Sequence, residues 1–86
     1  MASYSIFFKP SAEKELRKIS SPYLGKVIDR ISSLSHNPRP SGVQMLKGEN
    51  RYFRFRFGDY RIIYDVNDRD ERITVIKIGR RREVYE

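Results

Sequence analysis

Residues 51–61 read Arg-Tyr-Phe-Arg-Phe-Arg-Phe-Gly-Asp-Tyr-Arg, an alternation of aromatic and cationic side chains that runs into a Gly-Asp pair. Because successive side chains of a strand point to opposite faces, this alternation predicts a strand with one aromatic face and one cationic face. Glycine in the first central position favours a two-residue hairpin turn at Gly58-Asp59. In that hairpin Arg56 lies directly opposite Arg61.

The hairpin is therefore expected to sort its side chains into two sets. One set is apolar and points towards a core: Phe53, Phe55, Phe57, Tyr60, Ile62 and Tyr64. Arg54, Arg56 and Arg61 point the other way, about 5 to 8 Å from one another across the strand pair. Like charges at this spacing destabilise a sheet, so we expect the three guanidinium groups to bind an anion, and in particular a phosphate.

The positive charge of the chain is concentrated in two stretches. The 86 residues contain 18 Lys and Arg against 11 Asp and Glu, a formal net charge of +7. Residues 47–61 carry a net charge of +3 and residues 77–82 a net charge of +4, which together account for the whole excess. A focused cationic surface favours a polyanionic partner, and the 13% of aromatic residues allows stacking on bases as well as contact with phosphates.

Length and composition predict a single domain over residues 1–86 without disulfide or metal chemistry. The chain contains no cysteine and one histidine, which leaves neither a disulfide framework nor a zinc-ligand spacing. His36 lies in a proline-rich loop without a nucleophile beside it, and the acidic residues 65–71 form a turn typical of a solvated loop. We expect no cofactor, no membrane segment and a cytoplasmic location.

The N-terminal half predicts a strand followed by two helices. Residues 3–9 alternate as in a strand, Ser11 is a candidate N-cap for a first helix, and Pro22 is a candidate first-turn residue of a second. The second helix carries one apolar stripe, formed by Leu24, Val27, Ile28, Ile31 and Leu34. Two prolines in residues 36–42 end it. We expect the two helices to form a hairpin that covers a sheet.

The C-terminal half predicts strands from Gln44 onwards, with a turn at residues 47–50 before the hairpin strands. In the last strand, residues 73–79, alternation places Ile76 and Ile78 on one face and Val75 with Lys77 on the other. The expected fold class is α+β: strand-helix-helix followed by an antiparallel three-stranded meander, with the helical hairpin on one face of the sheet. The helices then cover the face of Phe53, Phe55, Ile62 and Ile76, and the arginine face stays open together with Lys77 and Arg81.

These residue types fit metal-independent cleavage of RNA, in which the 2′-OH of the RNA attacks the adjacent phosphate. The protein must orient the strand, neutralise the phosphorane and exchange two protons. The candidate catalytic residues are Arg54, Arg56, Arg61, Arg81 and Tyr85. Guanidinium groups stay protonated, so the proton transfers fall to Tyr85, Lys77 or Glu83. Tyr85 has an alternative interpretation, as an aromatic residue that pins the C-terminal tail. The candidate substrate-binding residues are Lys47, Arg51, Lys77, Arg80 and Arg82.

Several short motifs in this order resemble one family over nearly the whole chain. They are Pro10-Ser11-Ala12-Glu13-Lys14-Glu15-Leu16, Leu46-Lys47-Gly48, Arg54-Phe55-Arg56, Tyr60-Arg61-Ile62-Ile63-Tyr64 and Ile78-Gly79-Arg80-Arg81. Their order and spacing are similar to those of the RelE/ParE superfamily of bacterial toxin-antitoxin toxins, and within it to the RelE branch. The resemblance implies the fold described above, neutralisation by a cognate antitoxin, and cleavage of mRNA in the ribosomal A site. It also implies a toxin that is a monomer alone and a hetero-oligomer with its antitoxin.

The resemblance also assigns residues. The two basic residues that the family carries before the hairpin match Arg54 and Arg56, where lysines occur in the best-known members, and this exchange keeps the charge but removes a group able to act as a base. The family's hairpin arginine matches Arg61, the arginine after its last strand matches Arg81, and its C-terminal tyrosine matches Tyr85. Two other functions stay open: a ParE-like, non-enzymatic inhibitor of DNA gyrase, and a module that binds RNA without cutting it.

Overall fold

The strands and helices follow the order expected from the sequence in the computed structural model, which describes residues 3–46 and 51–80. They are β1 (Ser5–Phe8), α1 (Pro10–Arg17), α2 (Tyr23–Ser33), β2 (Gln44–Met45), β3 (Tyr52–Phe57), β4 (Tyr60–Asn67) and β5 (Arg72–Arg80). The expected meander is confirmed as β3, β4 and β5, which pair antiparallel. β2 extends this meander beyond β3, and β1 pairs in parallel with β5, so the sheet has the order β1-β5-β4-β3-β2.

The β3–β4 hairpin has the register that the alternation predicts. Phe57 lies opposite Tyr60 and Arg56 lies opposite Arg61, on either side of the Gly58-Asp59 turn. Gly58 adopts a φ of 58°, a left-handed conformation that costs glycine little and other residues more. The turn therefore fixes the register, and the register fixes which side chains share a face.

One face of the sheet packs against both helices and forms the core. The sheet contributes Phe53, Phe55, Ile62, Tyr64, Val66, Ile73, Val75 and Ile78, and the helical layer contributes Ala12, Ile19, Val27, Ile31 and Leu34. Each fully buried aliphatic or aromatic side chain of this kind contributes about 1.5 to 3 kcal/mol relative to an exposed one. The apolar set predicted for the hairpin is thus confirmed as the side that holds the domain together.

The predicted starts of both helices are each wrong by one or two residues. α1 begins at Pro10, with Lys9 in the N-cap position and no capping side chain, rather than after a Ser11 cap. Proline suits the first helical position because its φ is preset and its missing N–H would have no helical acceptor there. α2 begins at Tyr23, and Pro22 occupies the N-cap position instead of the first turn. Ile28, placed in the apolar stripe by its spacing, is 40% exposed.

A bulge in β5 contradicts the predicted alternation of that strand. Ile63 pairs with Lys77 and Tyr64 pairs with Val75, so Ile76 is an extra residue between two paired positions. Val75 is fully buried in the core, whereas sequence alternation put Ile76 there and Val75 on the open face. Because the bulge resets the phase, Lys77 still lies on the open face as predicted, and Ile78 returns to the core. Within the described residues no helix is long and apolar enough to cross a membrane.

Candidate nucleic-acid interface

The sheet face opposite the helices carries a group of cationic side chains near the β3–β4 turn and the end of β5, and we call this group the cationic face: Arg54, Arg56, Arg61 and Lys77. Arg72 lies on the same face at the other end of β5, over the ring of Phe7. Arg56 and Arg61 are directly opposed, which places their Cβ atoms about 4.5 to 5.5 Å apart. Arg54 is two residues from Arg56 on β3 and diagonal to Arg61, at about 7 to 8 Å. The predicted clustering of the three hairpin arginines is therefore confirmed by the strand register.

An apolar residue that the sequence interpretation missed lies between these cations. Ile63 pairs with Arg54 on one side and Lys77 on the other, and it is only 8% exposed, although it does not belong to the core on the helix side. The Nη2 atom of Arg54 donates a hydrogen bond of 2.5 Å to Oε1 of Gln44 on β2, which orients its guanidinium group. The positively charged groups of the cationic face thus surround the buried, apolar side chain of Ile63. An apolar surrounding lowers the local dielectric constant and strengthens the interaction of the cations with an anion.

Arg51, predicted to bind substrate, lies in an ion pair at the start of β3. Its Nε atom donates to Oδ1 of Asp65, and Nη2 donates to Oδ2 at 3.1 Å. Asp65 is 7% exposed and is a buried charge in need of such a bidentate partner. The Arg51 guanidinium carbon also lies 6.0 Å from the centre of the Tyr52 ring, and Tyr52 faces Asp65 across the strand pair. Tyr52, which the sequence interpretation did not single out, therefore places an aromatic ring on the same face as the cations.

The remaining candidates are placed less uniformly. Arg80 pairs with Tyr60, so it points to the α1 side of the sheet and not to the cationic face. Lys77 lies at the outer edge of the sheet, because β1 pairs with β5 only as far as Val75. Five candidates lie outside the described residues: Lys47, Arg81, Arg82, Glu83 and Tyr85. Among residues 3–46 and 51–80, the register thus places Arg54, Arg56, Arg61 and Lys77 on one face and Arg80 on the opposite face. Arg51 is held in its ion pair with Asp65.

The acidic residues near the β4–β5 turn are engaged in ion pairs and hydrogen bonds. Asp68 accepts hydrogen bonds from Arg39 Nη2 at 2.6 Å and from the Tyr4 hydroxyl at 2.6 Å, and these two bonds hold the pKa of its carboxyl below the ordinary 3.8. Asp70 accepts a hydrogen bond from Asn67 Nδ2 at 3.1 Å. The described part of the chain contains no group of three or more His, Cys, Asp or Glu arranged to hold a metal ion.

Tyr64, on the core side of β4, is a tyrosine whose pKa is displaced by the fold. Burial raises the pKa of its hydroxyl to about 12, and the charges of Arg39 and Arg30 oppose that rise. The hydroxyl donates a hydrogen bond of 2.7 Å to the carbonyl oxygen of Pro38. Tyr64 is completely buried, so it serves as a structural link between the sheet and the loop after α2 and does not face a substrate.

Two α-helices lie on one face of a mixed sheet and a cluster of arginines on the other, and comparison with known proteins gives the class: a small toxin of the RelE/ParE kind. A family model described as "ParE toxin of type II toxin-antitoxin system, parDE" matches residues 6–85, and the chain belongs to this family. The chain is also 33% identical over 75 residues to the putative toxin RelE1 of Methanocaldococcus jannaschii. The matched stretch covers 84% of this chain and 83% of that protein. The resemblance to the superfamily is therefore confirmed.

Other relatives belong to the RelE kind as well. Toxin RelG of Mycobacterium tuberculosis is 24% identical over 83 residues, 95% of each chain. The solved archaeal RelE–RelB complex from Pyrococcus horikoshii superposes with a TM-score of 0.83 at 26% identity, over 95% of this chain and 99% of that chain. The isolated RelE toxin of E. coli superposes with a TM-score of 0.81 at 25% identity, over 91% and 84%. This chain is thus a type II toxin of the RelE kind with the α+β fold expected from its sequence.

Proposed function

We propose that the protein is a ribosome-dependent endoribonuclease that cuts mRNA in the A site and thereby inhibits translation. The observation that carries the proposal is the register of the hairpin, which holds Arg54, Arg56 and Arg61 within about 5 to 8 Å of one another on an open sheet face. Three forked cations at this spacing match the oxygens of a single phosphate group, because each guanidinium group can donate two parallel hydrogen bonds.

The reaction follows from what such a face supplies. The 2′-OH of one nucleotide attacks the adjacent phosphorus, the 5′-oxygen of the next nucleotide leaves, and negative charge accumulates on the phosphorane oxygens. Arg61 and Arg56, opposed across the hairpin, stabilise this charge more strongly than the charge of the ground-state phosphate, which lowers the barrier. Arg54 holds the RNA strand in the geometry for in-line attack, since its guanidinium group is itself oriented by Gln44.

The two proton transfers need a group that titrates, which arginine does not provide. Among the side chains of the cationic face Lys77 carries such a group, and Tyr52 carries another on the same side of the sheet. Tyr85, outside the described residues, remains the predicted general acid or base. Arg81 remains the predicted fourth cation at the phosphate. A ribosome that holds the message in a strained geometry supplies orientation that a surface of this size cannot, so we expect little cleavage of free RNA.

We propose an antitoxin as the partner that keeps the protein silent. Solved relatives include RelE–RelB complexes, such as the intact E. coli RelBE complex and that of Pyrococcus horikoshii. A cationic face open to cellular RNA fits control by a protein that covers or distorts it. Expression of the chain without a co-expressed antitoxin is then expected to arrest growth.

The decisive variant is Arg61→Ala, assayed by single-turnover cleavage of a message on programmed ribosomes, with the cut ends mapped by primer extension. Loss of one donor to the phosphorane lowers the chemical step by about 10² or more, which corresponds to about 2.7 kcal/mol, while ribosome affinity changes far less. Arg61→Lys keeps the cation but loses the fork and restores part of the rate. Arg69→Ala, which removes an equal charge at the β4–β5 turn, is the matched control and retains the parental rate.

Tyr85→Phe separates chemistry from packing, because it removes only the hydroxyl group. A large drop in single-turnover cleavage at an unchanged melting temperature and unchanged ribosome affinity identifies Tyr85 as a proton-transfer residue. Parental cleavage by Tyr85→Phe together with an unstable Tyr85→Ala identifies a packing residue and leaves the proton to Lys77, Glu83 or the ribosome.

The second candidate function is ParE-like inhibition of DNA gyrase, and the match to the ParE family model favours it. The two functions give different outcomes in one experiment. Brief expression of a nuclease leaves newly cut message ends at ribosome positions, whereas a gyrase inhibitor leaves messages intact and blocks supercoiling or breaks DNA. Intact messages on ribosomes incubated with the purified wild-type protein refute the nuclease proposal.

A further inference from the structure

A groove lies between α1 and the end of β5, on the other side of the sheet edge from the cationic face. It consists of two adjoining recesses of about 400 and 260 Å³ that share Glu15, Lys18 and Ile78 in their walls. β1 pairs with β5 only as far as Val75, and beyond that residue α1 lies beside β5. Residues 77–80 of β5 form one wall of the groove, and among the described residues no strand pairs with that edge of β5 beyond Val75.

The charges of this groove are almost all positive. Lys14 and Lys18 come from α1 and its C-cap, and Lys77 and Arg80 come from β5. Among the described residues that line the groove Glu15 is the only carboxylate, and it already pairs with Lys18 at 3.2 Å on a surface where such pairs are weak. Lys14 and Lys18 are one helical turn apart, about 6 Å along the helix axis, so both face the same side. A polyanion that enters the groove therefore meets several cations in a row.

Lys77 connects the groove with the cationic face. On the sheet it pairs with Ile63 and belongs to the same row as Arg54, yet it also lines the larger recess beside Lys14. In the smaller recess, half-buried Tyr60 lies opposite Arg80 and offers an aromatic ring beside a cation. Cations that follow a backbone, with an aromatic ring on which a base can stack, are the two elements of sequence-independent binding to single-stranded RNA.

We propose that this α1–β5 groove is a second RNA-binding site, in which phosphates of the strand that crosses the cationic face continue around the edge of β5 and contact Lys14 and Lys18. The choice of RNA as the ligand rests on the proposed function. The path of the RNA strand is argued from Lys77, which belongs to the cationic face and also lines the groove. The groove lengthens the contact from a single phosphate to several nucleotides, and it does so away from Arg54, Arg56 and Arg61. Lys14 and Lys18 are therefore binding residues and not catalytic ones.

The test measures how salt weakens the binding of a fluorescent single-stranded RNA whose 2′-hydroxyls are methylated, so that it cannot be cut. Each phosphate contact on a single strand contributes about 0.7 to the slope of log affinity against log salt. The Lys14→Gln/Lys18→Gln variant removes two contacts and is expected to reduce the slope by about 1.4. Between about 50 and 200 mM salt, the parental protein then loses about sevenfold more affinity than the variant.

A matched control carries Lys26→Gln and Arg69→Gln, which remove one charge from α2 and one from the β4–β5 turn, both outside the groove. This control is expected to keep the parental slope within about 0.3, less than half of one contact. Equal slopes in the groove variant and the control overturn the proposal. Equal slopes accompanied by weaker binding of poly-glutamate in the groove variant alone would assign the groove to an acidic peptide instead, and would also overturn it.

The outcome is separable from that of the proposed function. The methylated probe reports binding alone, so a loss of slope supports the groove whether or not the protein cleaves messages. Intact messages on ribosomes, measured with the unmodified protein, would refute the nuclease proposal without touching the slope measurement.

Discussion

Replacing Arg56 by glutamine is expected to stabilise the domain at low ionic strength while it impairs function. Arg56 is directly opposed to Arg61 and two residues from Arg54, so it has two like-charged neighbours, and we take about 6 and 7 Å as the separations of the charges. In a water-like dielectric, each pair repels by about 0.6 to 0.7 kcal/mol before screening by salt. Glutamine keeps most of the aliphatic stem and removes the charge.

Screening gives this prediction its characteristic signature. With a Debye length of about 30 Å at 0.01 M salt, the two repulsions together amount to about 1 kcal/mol, and with about 3 Å at 1 M they fall to about 0.2 kcal/mol. For a domain of this size, 1 kcal/mol corresponds to about 4 to 8 °C in melting temperature. The Arg56→Gln variant is thus expected to melt several degrees above the parent at low salt and close to it at 1 M.

Thermal unfolding followed by circular dichroism at both salt concentrations measures this difference. Arg69→Gln is the control, because Arg69 lies between Asp68 and Asp70 in the sequence and its loss is expected to leave the low-salt melting temperature unchanged or lower. If Arg56→Gln is no more stable than the parent at low salt, or is stabilised equally at 1 M, the cationic face stores no repulsion. The argument that an anion must complete it then fails.

Two further predictions concern groups whose pKa the fold displaces. Because burial raises the pKa of Tyr64 to about 12 from the ordinary 10, its contribution to stability is complete below pH 10 and is lost as the pH rises towards 12, by at most about 2.7 kcal/mol. Tyr64→Phe gives up the hydrogen bond to Pro38, at a cost of about 1 kcal/mol near neutral pH. In urea titrations this variant should lose less stability than the parent between pH 10 and 12. A loss of stability in this range equal to the parent's contradicts the prediction. Arg39 and Tyr4 hold the pKa of Asp68 below 3.8, so the contribution of Asp68 to folding stability is present above that pH and disappears as the pH falls below it. Asp68→Asn should therefore lose less stability than the parent on acidification. An acid transition identical to the parent's would contradict this.

The sequence predicted those parts of the fold that depend on local alternation. The period of two in β3 and β4, with a turn that favours one loop length, determined the register and therefore the opposition of Arg56 and Arg61. The bulge at Ile76 was not predictable in this way, since an isoleucine fits either face and only pairing with β4 shows which residue is extra. Local alternation carries no signal for a bulge, so the prediction was wrong for Val75 and Ile76, whereas Lys77 and Ile78, which follow the bulge, lie on the predicted faces.

The parts of the candidate site that depend on local spacing were also predictable from the sequence, whereas those that depend on pairing and burial were not. Arg54, Arg56 and Arg61 lie on a single hairpin, so sequence spacing alone brings them together. The partnership of Arg51 with Asp65 joins residues 14 positions apart, and it depends on burial of the carboxylate, which composition does not reveal. Ile63 went unnoticed because an aliphatic residue in an aromatic-rich strand reads as core, although pairing with Arg54 and Lys77 puts it on the cationic face.

Not every arginine of this basic chain is available for an anion, and position on the sheet separates the two uses. The guanidinium carbon of Arg30 lies 5.0 Å from the centre of the Phe55 ring, and that of Arg39 lies 5.3 Å from the centre of the Phe53 ring. Both rings are buried in the core, so these two arginines cover aromatic faces on the helix side of the sheet, where cation–π contacts are worth about 0.5 to 2 kcal/mol. Arg54 and Arg56 alternate with the same two phenylalanines and consequently point away from them. Loss of Arg30 or Arg39 should therefore reduce activity through stability, whereas loss of Arg56 should reduce activity in a protein that is at least as stable as the parent.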